Sequence, residues 1–187
     1  RPLHKTASPS MDILVSSNLE RLLYFVSKDT VLVAKLMKQL NTDGVYTVSD
    51  EMKAAIGANF WAGCCDDTGA AETIRKVYTE KGYLMDTHTA VASHVLKEYR
   101  EKTGDMTPAV VVSTASPYKF AADVLSAVEG KEAVNGLDAF QCSDMLEKIT
   151  GVKVPQQVKA LRTLPVRHKQ QCEKDAMAEA VMEAFGK

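Results

Sequence analysis

The segment STASPYKF, residues 113–120, carries the residue types best suited to holding a small ligand. Two adjacent hydroxyls, Ser113 and Thr114, follow an apolar β-branched run and precede the helix signal Ser116-Pro117. Ligands of open α/β sheets bind outside the carboxyl ends of the strands, where helix N-termini add free backbone N–H groups. Hydroxyls in that place can hydrogen-bond a heterocycle nitrogen or a phosphate. In a purely structural reading Ser116 caps the helix and Pro117 takes its first position. That reading leaves Ser113 and Thr114 without an assignment.

Asp86-Thr87-His88-Thr89 is a second strand-to-helix turn. A histidine there can donate to a substrate group or act as acid or base. Alternatively, Asp86 or Thr87 caps the helix and His88 packs in its first turn. His88 and His94 are too far apart in sequence to share a helix face as an HxxxH pair does, and no carboxylate pair lies near them, so a zinc site is not expected. Cys64-Cys65 precede Asp66-Asp67. Acidic neighbours raise a thiol pKa and lower its reactivity, so these read as buried structural cysteines. Glu51, Asp66, Asp67 and Asp105 read as caps and solvated surface. No GxGxxG fingerprint, P-loop or GxSxG elbow is present.

The elements that must position these residues read as helix-rich α/β. Ser16 or Ser17 opens a helix whose Leu19, Leu22, Leu23 and Val26 recur at helical spacing. Asp29 or Thr30 caps the next, which Asn41 and Gly44 close. Val45-Tyr46-Thr47-Val48 reads as a strand, Ser49-Asp50 opens a short helix, and residues 60–65 read as a strand or a buried loop. Asp66 or Asp67 starts a helix ending at Lys81-Gly82, with glycine suited to the left-handed position after it. Tyr83-Leu84-Met85 is a short strand. Ala90, Val91, Val95, Leu96 and Tyr99 form one helical stripe closing near Gly104. Ala109-Val110-Val111-Val112 is the best strand of the sequence, apolar on both faces as buried parallel strands are. A helix then runs through Tyr118 and Phe120 to Val128. Alternation of this kind predicts a parallel sheet with helical cover over residues 1–130. Residues 131–187 read as a helical C-terminal region packed on it, with helices at 139–150, 156–161 and 169–185. Internal repeats and low-complexity tracts are absent.

Composition bounds the function. The chain has 187 residues, is 45% hydrophobic and 25% charged, and carries a net charge of −1. That is an ordinary globular composition, and it lacks the basic excess that drives nucleic-acid binding. No apolar run approaches the ~20 residues of a membrane helix, and no signal-peptide pattern opens the chain. Four cysteines with no CxxC point to a reducing, cytoplasmic location.

Four segments together resemble one family, threonine synthase, in its long form from bacteria and fungi. They are SPSMDILVSSNLERLLY (residues 8–24), AGCCDDTGAAETIRKVYTEKGYL (62–84), DTHTAVA (86–92) and TPAVVVSTASPYKF (107–120), in the family's order. The resemblance is strong over residues 1–130 and weak beyond. It implies a fold-type-II pyridoxal-phosphate enzyme, a lyase acting on a phosphate, that converts O-phospho-L-homoserine and water to L-threonine and phosphate. It implies that residues 1–130 are the C-terminal part of the cofactor-binding α/β domain. Thr114 matches the hydroxyl residue expected against the cofactor's pyridine nitrogen, with Ser113 as its neighbour. A neutral hydroxyl does not enforce a protonated ring nitrogen as a carboxylate would. Asn18 and Arg21 match a family Asn…Arg pair near the substrate, where arginine's planar fork suits a phosphate or carboxylate. His88 and Lys119 match further family positions on the substrate side.

The sequence also departs from the family. Members are much longer, and nothing here resembles the Phe-Lys-Asp segment that carries the Schiff-base lysine. Lys119 in PYKF belongs to another motif. The chain begins Arg1-Pro2 without an initiating Met, and the resemblance implies the C-terminal part of a threonine synthase, inactive alone, whose partner is its own missing N-terminal portion. Two alternatives stay open: a non-catalytic binding module, and one chain of a two-chain enzyme.

Overall fold

The computed structural model describes residues 2–186, in two compact units that part between Val154 and Pro155. In the first unit, capping side chains decide where the helices start. Ser16 accepts from the Leu19 N–H to open α1 (Ser17–Ser27), and Asp29 accepts from Val31 and Leu32 to open α2 (Thr30–Asp43). Ser49 does the same for α3 (Asp50–Gly57), Asp66 for α4 (Asp67–Lys81) and Asp86 for α5 (Thr87–Thr103). Each side-chain oxygen satisfies an N–H that has no partner inside its helix. Gly82, at φ 66°, ends α4 in the left-handed conformation that a side chain would strain. A short 3₁₀ turn, Pro117–Phe120, leads into α6 (Ala121–Glu129). Asp138 and Gln141 form a reciprocal capping box at the start of α7 (Ala139–Thr150).

Two hydrophobic groups hold this unit. Leu23, Val33, Leu36 and Met52 join α1, α2 and α3, with Tyr46, Val48 and Ile56 packed against them. Helices α4, α5, α6 and α7 pack through α4–α5, α4–α6 and α6–α7 contacts. Ile74, Ala90, Val124, Leu125 and Leu146 are at most 1% exposed there. Arg75 ties α4 to the end of α6, donating from Nε to the Ala127 carbonyl at 2.8 Å.

The expected parallel sheet is not there. The described residues contain helices and irregular segments and no strand. A strand exists only through ladder hydrogen bonds to a neighbour. Residues 109–112 have a buried strand's composition, yet Val110 is 90% exposed and Val112 69% exposed, and no other segment among the described residues pairs with them. The segments at 45–48 and 83–85 are likewise irregular, although Leu84 and Met85 are buried and lead the chain into Asp86. The 60–65 segment is neither strand nor buried: Phe60, Trp61 and Cys64 are exposed. The α/β fold class is therefore replaced by an all-helical one over the described residues.

The second unit has α8 (Gln156–Ala160), then a 3₁₀ turn (Lys174–Ala176) running into α9 (Met177–Ala184). The helix expected over 169–185 forms only in its last part. No described residue of this unit is buried. Short helices without a buried face are marginal, because packing supplies most helical stability. Among the described residues no helix is long and apolar enough to cross a membrane.

Candidate functional site

The DTHT turn and the STASPYKF segment meet in space. Asp86 is fully buried, and Thr87, His88 and Thr89 are buried beside it. A buried carboxylate is costly unless its oxygens are hydrogen-bonded. Asp86 meets that requirement with both oxygens. Oδ1 accepts from the His88 N–H at 2.9 Å and lies 3.1 Å from His88 Nδ1. Oδ2 accepts the Thr89 hydroxyl. Thr89 Oγ1 is in turn 3.0 Å from Ser113 Oγ, which brings α5 to the segment before the Pro117–Phe120 turn.

The partners of His88 fix its tautomer. Its Nε2 faces the Ser10 backbone N–H at 3.3 Å, and an N–H can only donate, so Nε2 is the acceptor. The ring proton therefore sits on Nδ1 and is donated to Asp86, with Thr87 Oγ1 3.3 Å from the same nitrogen. The Phe120 ring packs on the imidazole at 4.7 Å between centroids. The Lys119 ammonium stands 5.6 Å from the same Phe120 ring. Ser10 belongs to a tight N-terminal segment. Asp12 there accepts from the Thr6 N–H and hydroxyl, both at 2.7 Å, which hold its carboxyl below the usual carboxylate range. The Ala7 N–H donates to Asp67 at the start of α4.

The sequence-predicted residues fall in three places. His88, Ser113 and Lys119 lie around the Asp86–Thr89–Phe120 cluster. Thr114 is next to Ser113, and its exposed hydroxyl has no hydrogen-bond partner among the described residues. Asn18 and Arg21 stand apart on α1, exposed, with Arg21 Nη1 donating to Asn18 Oδ1 at 2.5 Å. Arg21 also lines an open cleft of about 550 Å³ with Glu20, Tyr24, Phe25 and Val33. Asp86, read from the sequence as a cap, does cap α5, but its second oxygen and Thr89 carry the contact to Ser113. Spacing holds no signal for that contact, because it joins residues far apart in the chain.

The adjacent cysteines are not buried structural residues. Cys64 is exposed, because its segment packs in no core, and Cys65 is half-buried. Burial foremost, then the neighbouring Asp66, pushes the Cys65 thiol up to about 11.

Buried Asp86 and Thr89 thus reach the exposed Ser113, beside which Thr114 has no hydrogen-bond partner among the described residues. A family model described as "Threonine synthase, C-terminal" matches residues 89–185. The chain belongs to this threonine synthase family. It is 37% identical over 133 residues to threonine synthase-like 1 of Macaca fascicularis, covering 71% of this chain and 18% of that protein. Among solved structures it resembles a PLP-bound threonine synthase from Brucella melitensis, with a TM-score of 0.64 and 39% identity over 78% of this chain and 30% of the other. It also resembles threonine synthase from yeast, with a TM-score of 0.76 and 27% identity over 99% of this chain and 37% of the other. The chain thus spans well under half of each relative's length.

Proposed function

We propose that this chain forms one wall of the active site of a threonine synthase, a lyase that makes L-threonine and phosphate from O-phospho-L-homoserine and water with pyridoxal phosphate. Residues 1–130 are then the C-terminal part of the cofactor domain, and residues 131–187 a helical region attached to it. Four free cysteines suit a reducing cytoplasm. The observation that carries the reading is the unpartnered hydroxyl of Thr114 beside a Ser113 whose hydroxyl is held by buried groups. A hydroxyl free to turn can meet a heterocycle nitrogen, so the residues present fit that cofactor's ring.

When bound, the cofactor supplies an electron-withdrawing ring that takes up negative charge from the substrate's carbon. This chain's residues bind and orient. Thr114 hydrogen-bonds the ring nitrogen without adding charge, and Ser113 holds the turn beside it. Arg21, steadied by Asn18, offers its remaining N–H groups to a phosphate or carboxylate. Lys119 adds an exposed positive charge near the same cluster. His88, both ring nitrogens engaged, serves the substrate side by fixing the segment around Ser10 that leads to α1.

No lysine here matches the family segment that holds the cofactor, so we infer that the chain is inactive alone. The test measures phosphate release from O-phospho-L-homoserine with added pyridoxal phosphate. The purified 187-residue chain should release none, while the product of the complete coding sequence should release phosphate and threonine. Turnover by the short chain, or none by the complete product, overturns the reading.

A further inference from the structure

We propose that residues 109–112, with Met106 ahead of them, form a docking surface for the part of the parent enzyme that lies outside this chain. The proposal rests on the reading of this chain as one portion of a longer threonine synthase.

Valine is among the residues most often buried. Val110 is nevertheless the most exposed large apolar side chain among the described residues, and Met106 and Val112 are not far behind. Successive side chains of an extended chain point to opposite sides. The exposures follow that pattern, with Val110 and Val112 outward and Val111 between them half-buried. No backbone hydrogen bond joins residues 109–112 to any other described residue. Free N–H and carbonyl groups beside exposed β-branched side chains are what a partner engages, through main-chain hydrogen bonds and pockets for alternate side chains. Both ends of the run are tied to α5. The Thr107 carbonyl accepts from Arg100 Nη2 at 3.2 Å, and Ser113 Oγ accepts from the Thr89 hydroxyl at 3.0 Å. The helix therefore holds the run out at two points and leaves its outer side uncovered. The occupant follows from size. This chain spans well under half of each relative's length, so most of the parent is available as cover. A second copy pairing this short run with itself falls far short of the roughly 20–30 residues a side of a stable interface. A covalently continuous partner has no such requirement, because tethering supplies a high effective concentration.

The experiment compares the 187-residue chain with the product of the complete coding sequence by hydrogen–deuterium exchange, read by mass spectrometry of peptides covering residues 109–112. In the 187-residue chain these amides should exchange at close to free-peptide rates. In the complete product they should exchange at least about a hundredfold more slowly, as hydrogen-bonded amides do when they open only by local unfolding. Val110→Asp should lower the urea midpoint of the complete product and leave that of the 187-residue chain unchanged, since a charge is costly only where it is buried. If that variant of the complete product does not fold, Val110→Ser takes its place, and the exchange of the parent proteins decides without either. Equally fast exchange in both proteins overturns the proposal. So does protection in the 187-residue chain that rises with its own concentration, which would make a second copy the occupant. The readout needs no substrate. A complete product that makes threonine while these amides stay open sinks the surface alone. One that protects them but makes no threonine keeps the surface and sinks the threonine synthase reading.

Discussion

The Thr89 and Ser113 hydroxyl oxygens meet at 3.0 Å across 24 residues of chain. This contact joins the first turn of α5 to the segment ahead of the Pro117–Phe120 turn. Within this chain the link is a pair of side chains on a buried carboxylate, with no strand ladder beside it. Ser113, and Thr114 after it, are thereby tied through Thr89 to the buried Asp86.

Thr114→Val in the complete enzyme keeps the β-branched shape and removes the hydroxyl. Folding should be unaffected, because that hydroxyl has no partner among the described residues. Single-turnover rates should fall by roughly ten- to a hundredfold, which is about 1.4–2.7 kcal/mol at 1.36 per tenfold. Thr114→Ser should retain most of the rate, losing only a methyl group. A parental rate in Thr114→Val at full cofactor loading would make the residue structural.

Asp105 should govern part of the acid limb of stability. Hydrogen bonds from the Thr107 side chain foremost, then from the Tyr99 hydroxyl at 2.7 Å and the Thr107 N–H at 2.9 Å, hold its carboxyl down at about 2. The folded value lies below the unfolded value of about 3.9. The contribution is therefore fully present above the unfolded value and is lost as pH falls through about 2. Urea midpoints of parent and Asp105→Asn should differ by a constant amount above about pH 5 and converge toward pH 2, since linkage acts only between the two pKa values.

Cys65 should resist alkylation. With its thiol near 11, little thiolate exists at pH 8. Its rate with iodoacetamide should be on the order of a hundredfold below that of an ordinary thiol, since only the thiolate reacts. Mass-spectrometric mapping over time reads this directly. Asp66→Asn should speed the reaction by a smaller factor than unfolding does, because burial outranks that charge.

Leu146→Ala should be among the costlier core changes. Leu146 on α7 is fully buried, in the group where α7 packs on α6. Truncation should cost about 2–5 kcal/mol, from lost transfer energy and the cavity left behind. The urea midpoint should drop with the slope unchanged. The same truncation at Val110, already 90% exposed, should leave the midpoint of this chain almost where it was.

The sequence by itself determined where helices α1 to α5 begin and where α2, α4 and α5 end. Ser16, Asp29, Ser49, Asp66 and Asp86 cap as their residue types dictate, and Gly44, Gly82 and Gly104 stop helices in the left-handed conformation. Those signals are local: a capping side chain reaches an N–H two or three residues on, so spacing records it. The four family segments likewise named the family that residues 89–185 match. The fate of residues 109–112 was not local. A β-branched run is a strand only where another strand supplies the ladder, and among the described residues none does. Only the tertiary structure decided that Ser10 lends its N–H to His88, that Asp86 carries a second bond beyond its cap, and that Ser113 hangs from Thr89. Those contacts join residues distant along the chain, and their geometry is set by how α4, α5, α6 and α7 pack, which no short window of sequence contains.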